Sequence, residues 1–239
     1  MKTAFTAIAL LTSIVGLGHS ARAQTPPKTV LLIADELHLD FRATPQVRAL
    51  TARVLQALAS DAARGALAST GTSQVFIAPT TDVAALQSAN QRLVGTGLNV
   101  REVLAGRPQP APDLASEQRY RAVTALASAA NAITRVASGQ NGQSFAVVYI
   151  SNGDVAGDIP ERSALIQTAV RANAVVYAVD PRGLSNAEPA QGIDRDAWEA
   201  LLKESQGALA ALAGQTKGTV AVTANEVDTL LARLAKTSL

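Results

Sequence analysis

The chain of 239 residues contains no cysteine, one methionine and one tryptophan, and aromatic residues make up only 3% of it. Without cysteine it has no disulfide, zinc–thiolate or iron–sulfur site, and no cysteine nucleophile. It also lacks an excess of charge. The formal balance is +2, from 21 Lys and Arg against 19 Asp and Glu, and setting aside Lys2 and Arg22 of a leader-like N-terminus leaves 19 against 19. Such a chain carries no basic stripe for nucleic acid. The phosphate-loop signature, the dinucleotide glycine spacing and a Gly-x-Ser-x-Gly elbow are all absent, so nucleotide binding and serine-hydrolase chemistry find no support. What is present is a 48% hydrophobic, 17% charged sequence. That balance fits a compact, alanine-rich globule with a sizeable core and argues against disorder.

Residues 1–23 have the form of a secretory signal peptide. Lys2 supplies the positive start, an apolar stretch follows, and Ala21-Arg22-Ala23 places small residues at the cleavage positions, before Gln24. The apolar stretch, about 15 residues, falls short of the ~20 needed to span a bilayer. No later run approaches that length, and no lipoprotein cysteine follows. The expectation is a short linker, 24–28, leading into one domain over 29–239, in a protein that is secreted or periplasmic.

Along that domain, apolar runs alternate with helical patterns. Strands are expected at 30–34, 66–69, 74–78, 145–150, 174–179 and 219–222, the second and third forming an antiparallel pair across the turn 70–73. Helices are expected from Thr44-Pro45, after a Thr81/Asp82 cap, over 98–105, over 116–137 with Tyr120, Val123, Ala127, Ala130 and Ile133 or Thr134 on one buried stripe, over 160–172, around Trp198, and after an Asn225 cap. The proline-containing stretch 106–113 reads as a surface excursion. The fold class is therefore α/β: a Rossmann-like, open, mostly parallel six-stranded sheet with helices on both faces and one antiparallel edge strand.

In such sheets ligands sit outside the carboxyl ends of the strands, where strand order reverses. The first strand delivers Asp35, Glu36, His38 and Asp40 there, the fourth Asn152 and Asp154, and the fifth Asp180 and Arg182. Oxygen donors of this kind suit magnesium or calcium better than zinc. Each residue also has a plainer reading: Asp180 before Pro181, and Asn152-Gly153, fit turns that bond their own backbone. His38 is the lone histidine after the leader, and lone loop histidines are usually not catalysts. Trp198 reads as core, turned toward the sheet.

The order of elements and the segments Val30 to Asp40, Pro79-Thr80-Thr81-Asp82, Val147 to Gly153, Val175 to Leu184 and Leu209 to Thr219 resemble the von Willebrand factor type A domain, in particular exported bacterial proteins of that type. The resemblance covers nearly all of 29–239. It implies a protein-binding role and a metal-ion-dependent adhesion site, in which an Asp-x-Ser-x-Ser loop, a threonine and an aspartate surround a divalent cation. Asp35 matches the first aspartate and Thr96 the threonine; Leu37 and Leu39 stand at the serine positions, and Asn152 stands at the second aspartate with Asp154 close behind. The metal set would thus be Asp35, Thr96 and Asn152 in degenerate form, with Glu36, His38, Asp40 and Asp154 as a partner-binding rim. The expectation is a non-enzymatic protein-binding module, for adhesion or assembly, that requires no cofactor and at most holds magnesium or calcium weakly. The alternative is a cation-dependent sensor or hydrolase that uses the Asp35, Glu36 and Asp154 rim with His38 as proton acceptor.

Overall fold

The structure is a computed structural model that describes residues 28–60, 63–105, 111–155, 157–184 and 192–236. The leader 1–23 and most of the linker lie outside them, as does 106–110 of the expected proline-rich excursion. The elements run β1 (Thr29–Ala34), α1 (Thr44–Ser60), β2 (Arg64–Ser69), β3 (Phe76–Thr80), α2 (Val83–Asn90), α3 (Val100–Ala105), α4 (Pro112–Ala137), β4 (Phe145–Ile150), α5 (Pro160–Arg171), β5 (Ala174–Val179), α6 (Arg195–Gln215), β6 (Val220–Ala221) and α7 (Ala224–Lys236). The six strands form one sheet in the order β3-β2-β1-β4-β5-β6. Only β2 and β3 pair antiparallel; every other pairing is parallel. The fold is thus the mostly parallel α/β sheet expected from the sequence, with one antiparallel edge.

Strand alternation divides the core into two layers. Val30, Leu32, Ala34, Ala146, Val148 and Ile150 face one layer, filled by Val47, Leu50 and Val54 of α1, Leu86 of α2 and Leu230 of α7. Leu31, Ile33, Phe145, Val147 and Tyr149 face the other, filled by α4, α5 and α6. Covered on both faces, β1 and β4 are buried at every position, which explains their unbroken apolar runs. On α4 the buried face is Ala122, Ala125, Leu126, Ala129, Ala132, Ile133 and Val136. Tyr120, expected on the buried stripe, is 65% exposed. The reason is steric: small side chains let this helix lie close to the sheet, so alanine marks its inner face and the large aromatic turns outward.

Several element ends differ from the sequence expectation for local reasons. The antiparallel edge strand starts at Phe76, two residues later than expected, after Gln74 at φ 48. Helix α4 starts earlier, with Pro112 in its first turn, where proline costs no hydrogen bond. Thr44 does not cap α1: a 3-10 turn, Phe41–Ala43, precedes it and is capped by Asp40, while the Thr44 hydroxyl accepts from Gly95 N at 3.0 Å. Asp82 caps α2 through Ala85 N, as expected. The cap of α7 is not Asn225 but a reciprocal pair: the Thr223 hydroxyl accepts from Glu226 N, and the Glu226 carboxylate accepts from Thr223 N. Hydrogen bonds from Val222 N and Thr223 hold the Glu226 pKa below its usual value.

Candidate functional site

Strand order reverses between β1 and β4, which lie side by side with Ala34 opposite Ile150. Chain leaving β1, β4 and β5 therefore converges at one end of the sheet. Asp35, the first residue beyond β1, is fully buried, at 0% exposure. Its carboxylate accepts four hydrogen bonds: from Thr70 Oγ1 at 2.9 Å, His38 Nδ1 at 2.8 Å, Tyr149 OH at 2.6 Å and Ser151 Oγ at 2.7 Å. Three of these fall on Oδ2, which is crowded, and one, from Thr70, on Oδ1. Burial pushes the Asp35 pKa up, but the His38 charge and the hydrogen bonds from His38, Tyr149 and Ser151 outweigh it and bring the pKa down to about 2. Burial pushes His38 down, and the Asp35 charge and hydrogen bond reverse that, so His38 ends above its ordinary value. Burial, then the Asp35 charge, push Tyr149 well above 10, so it stays a phenol and a donor.

Of the other acidic residues of the expected rim, Glu36 and Asp154 are turned into the fold, while Asp40 is half-buried. Glu36, 1% exposed, accepts from Val94 N at 2.7 Å through Oε1 and from Ser73 N at 3.2 Å through Oε2, tying two loops to the end of β1. Asp154, 7% exposed, pairs with Arg162 of α5. Asp40 accepts from Arg42 N at 2.8 Å in its own turn. Backbone donors and a basic side chain replace the water that the Glu36 and Asp154 carboxylates would otherwise bind, so these two do not form an outward-facing acidic lip. Thr96 donates its hydroxyl to the Glu36 carbonyl at 3.2 Å, and its own N–H goes to the same oxygen at 2.7 Å. Asn152 is 9% exposed, with a buried Oδ1 that has no partner among the described residues.

This donor set does not fit a divalent cation. Asp35 Oδ2 is saturated, the Leu37 and Leu39 side chains bear no oxygen, Leu39 is packed in the core, and Thr96 and Asp154 are committed elsewhere, which leaves of the expected set one open position on Asp35 Oδ1 and the unpartnered Asn152 Oδ1. A divalent cation takes six or more oxygens, waters included, and is usually anchored by at least one carboxylate turned toward it. The basic group beside Asp35 is the chain's own His38, whose pKa the carboxylate raises.

A second buried pair stands at the end of β5. Asp180, at 0% exposure, accepts from Arg182 Nε and Nη2 at 2.9 Å each, from Arg182 N at 3.0 Å and from Gln206 Nε2 at 2.9 Å. The turn expected from Asp180-Pro181 is present in that backbone contact, and the ion pair is added to it. Arg182 also donates to the Asn152 carbonyl at 2.6 Å and to Ser205 Oγ at 2.7 Å, and lies 5.9 Å from the Trp198 ring. Trp198 is buried, as expected. Gly153 is required here: its φ is +73, and a Cβ would collide with the Ser205 carbonyl on α6.

Between the two pairs opens a small, half-open cleft. Leu37, Leu98, Val100, Val103, Val155 and Leu201 give it an apolar wall; His38, Gln118, Arg121, Asn152, Arg182 and Ser205 are its polar lining. Of the residues singled out from the sequence, the structure brings His38, Asn152 and Arg182 to this cleft. It also brings residues the sequence did not flag, Arg121 above all. Arg121 projects from α4, pairs with Glu117 at 2.6 Å and donates through Nη1 to the Thr96 carbonyl at 2.6 Å. Nothing in its local sequence distinguishes it from a solvated helical arginine. Tyr149 and Ser151 left a trace, since two hydroxyls bracket Ile150 at the end of an apolar strand.

No protein-family model matches the chain, and no curated protein matches its sequence. Among solved structures, the pilus adhesin SpaC from Lactobacillus rhamnosus GG, in an open conformation, aligns over 88% of this chain with a TM-score of 0.52 and 11% identity. The chain spans 30% of the length of that adhesin. At this identity the likeness concerns the fold. An uncharacterized membrane spanning protein from Vibrio fischeri aligns over 87% of this chain and 97% of its own, with 15% identity and a TM-score of 0.28. No described helix of the present chain is long and apolar enough to cross a membrane.

Proposed function

We propose that this chain is an exported, non-enzymatic protein-binding module of the von Willebrand factor A type, serving adhesion or assembly without a bound cation. The docking face is the end of the sheet formed by the loops after β1, β4 and β5. One observation carries the reading: the carboxylate of Asp35, at the position that would hold the ion, already has His38 as its counter-charge and three hydroxyl donors around it. Export is supported by the leader-like residues 1–23, and a protein partner by the fold shared with an adhesin. The neutral balance of the chain after the leader favours neither nucleic acid nor an anionic membrane surface.

The test has two parts. Fractionation and N-terminal sequencing of the protein from its native host should recover it outside the cytoplasm, beginning at Gln24; recovery from the cytoplasm with Lys2 retained would refute export. Titration of the chelated protein with magnesium, calcium or manganese should release no heat above dilution and leave the melting midpoint unchanged. A stoichiometric ion that raises the midpoint would contradict the cation-free reading, because a ligand specific to the folded state must stabilise it.

A further inference from the structure

The charged residues lining the cleft are all basic: His38, Arg121 and Arg182. Each belongs to an ion pair whose acidic member is not part of the lining. Asp35 and Asp180 stand behind, at 0% exposure, and Glu117 points to solvent with 44% of its side chain exposed. Three ion pairs therefore present their positive ends to one space, opposite an apolar wall. Arg121 uses Nε on Glu117 and Nη1 on the Thr96 carbonyl, while its Nη2 is engaged by none of the described residues.

We propose that this cleft binds a small amphipathic organic acid, its carboxylate held by Arg121 and its aliphatic body laid along Leu98, Val100, Val103 and Leu201. The lining suits such a ligand, since sites that take small molecules combine apolar walls with a few convergent polar groups. An amine would meet three cations with no carboxylate in view, and an alcohol would leave the guanidinium without its counter-charge. The site is independent of protein docking on the same face, so either property can fail without the other.

The experiment titrates the folded chain with hexanoate, hexanol, hexylammonium, acetate and N-acetylglycyl-leucine, following backbone amides by NMR. Hexanoate should shift residues 98–103 and 201–205 and bind about tenfold tighter than hexanol, the ratio expected for one charge-assisted hydrogen bond. Acetate should bind more weakly for want of an apolar body, and hexylammonium should leave those amides unmoved. Arg121→Gln should remove the preference for hexanoate over hexanol. Because Arg121 also holds the Thr96 carbonyl, Val103→Asp supplies a second variant: it adds a carboxylate to a half-buried helix wall and should weaken hexanoate with the fold retained by circular dichroism. Equal binding of hexanol or hexylammonium, shifts elsewhere, or no shift at all would overturn the proposal. Tighter binding of N-acetylglycyl-leucine would also overturn it, in favour of a peptide chain end as ligand.

Discussion

The ends of β1 and β5 solve one problem in two ways. Each strand delivers an aspartate, fully buried, and each aspartate is met by a basic residue two or three positions on. At β5 the partner is an arginine that grips both carboxylate oxygens and bonds onward to the Asn152 carbonyl and Ser205, joining the loops of β4 and β5 to α6. A guanidinium in a fork of this kind stays charged in ordinary buffers as a general property of arginine. At β1 the partner is a histidine, supported by three hydroxyls from β2, β4 and their loops. The same geometry therefore yields a permanent clamp on one side of the cleft and a titratable one on the other.

Four perturbations, in falling order of effect, sharpen the contrast. Asp180→Ala strands the Arg182 guanidinium in a largely buried position and should cost about 3–5 kcal/mol, with little change between about pH 5 and 9. Urea unfolding across that range measures both magnitude and flatness. At β1, the Asp35 pKa of about 2 lies below its ordinary 3.8, so its contribution is complete above the ordinary value and is lost as pH falls through the folded one. The stability gap between wild type and Asp35→Asn should shrink by about 2 kcal/mol from pH 5 to pH 2. His38 shifts the opposite way: its raised pKa gives stability that is complete below 6.5 and fades as pH rises through the folded value. His38→Gln should thus cost about 1–3 kcal/mol at acidic pH and less in alkaline buffer, read from unfolding midpoints in the two conditions. Glu117→Ala removes a half-exposed partner and should change stability by less than about 1 kcal/mol, while leaving Arg121 in place by its bond to the Thr96 carbonyl.

The architecture was legible because its signals are local. Runs such as Val30 to Ala34 and Phe145 to Ile150 can be buried on both faces only in the middle of a parallel sheet, and the structure puts β1 and β4 there. The position of the site followed from the same topology, since both strands end beside each other. Side-chain orientation was not legible. Asp35, Glu36 and Asp154 look alike in a sequence, whether they face a partner or accept from Tyr149, Val94 and Arg162. Those contacts link residues 58 to 114 positions apart, apart from Asp154 with Arg162. Arg121 was missed for a related reason: its role depends on where α4 lies against the loop at Thr96, and a helical arginine with glutamate four residues earlier reads as a surface pair. The stripe of α4 was set on a neighbouring face, through Tyr120, Val123, Ala127 and Ala130, whereas the buried one runs through Ala122, Ala125, Leu126 and Ala129, with Ile133 common to both, because alanines on every side of this helix blur the periodicity.

The central claim is that His38 supplies the positive charge that neutralises Asp35. It is most directly tested by following the His38 ring by NMR as a function of pH, with and without excess magnesium; the only other histidine, His19, falls within the leader-like segment and is removed if that segment is cleaved. The account predicts one titration with its midpoint above 6.5, at the same pH in both samples. A midpoint at or below the ordinary histidine value, or one that magnesium drives downward by competing for Asp35, would contradict it.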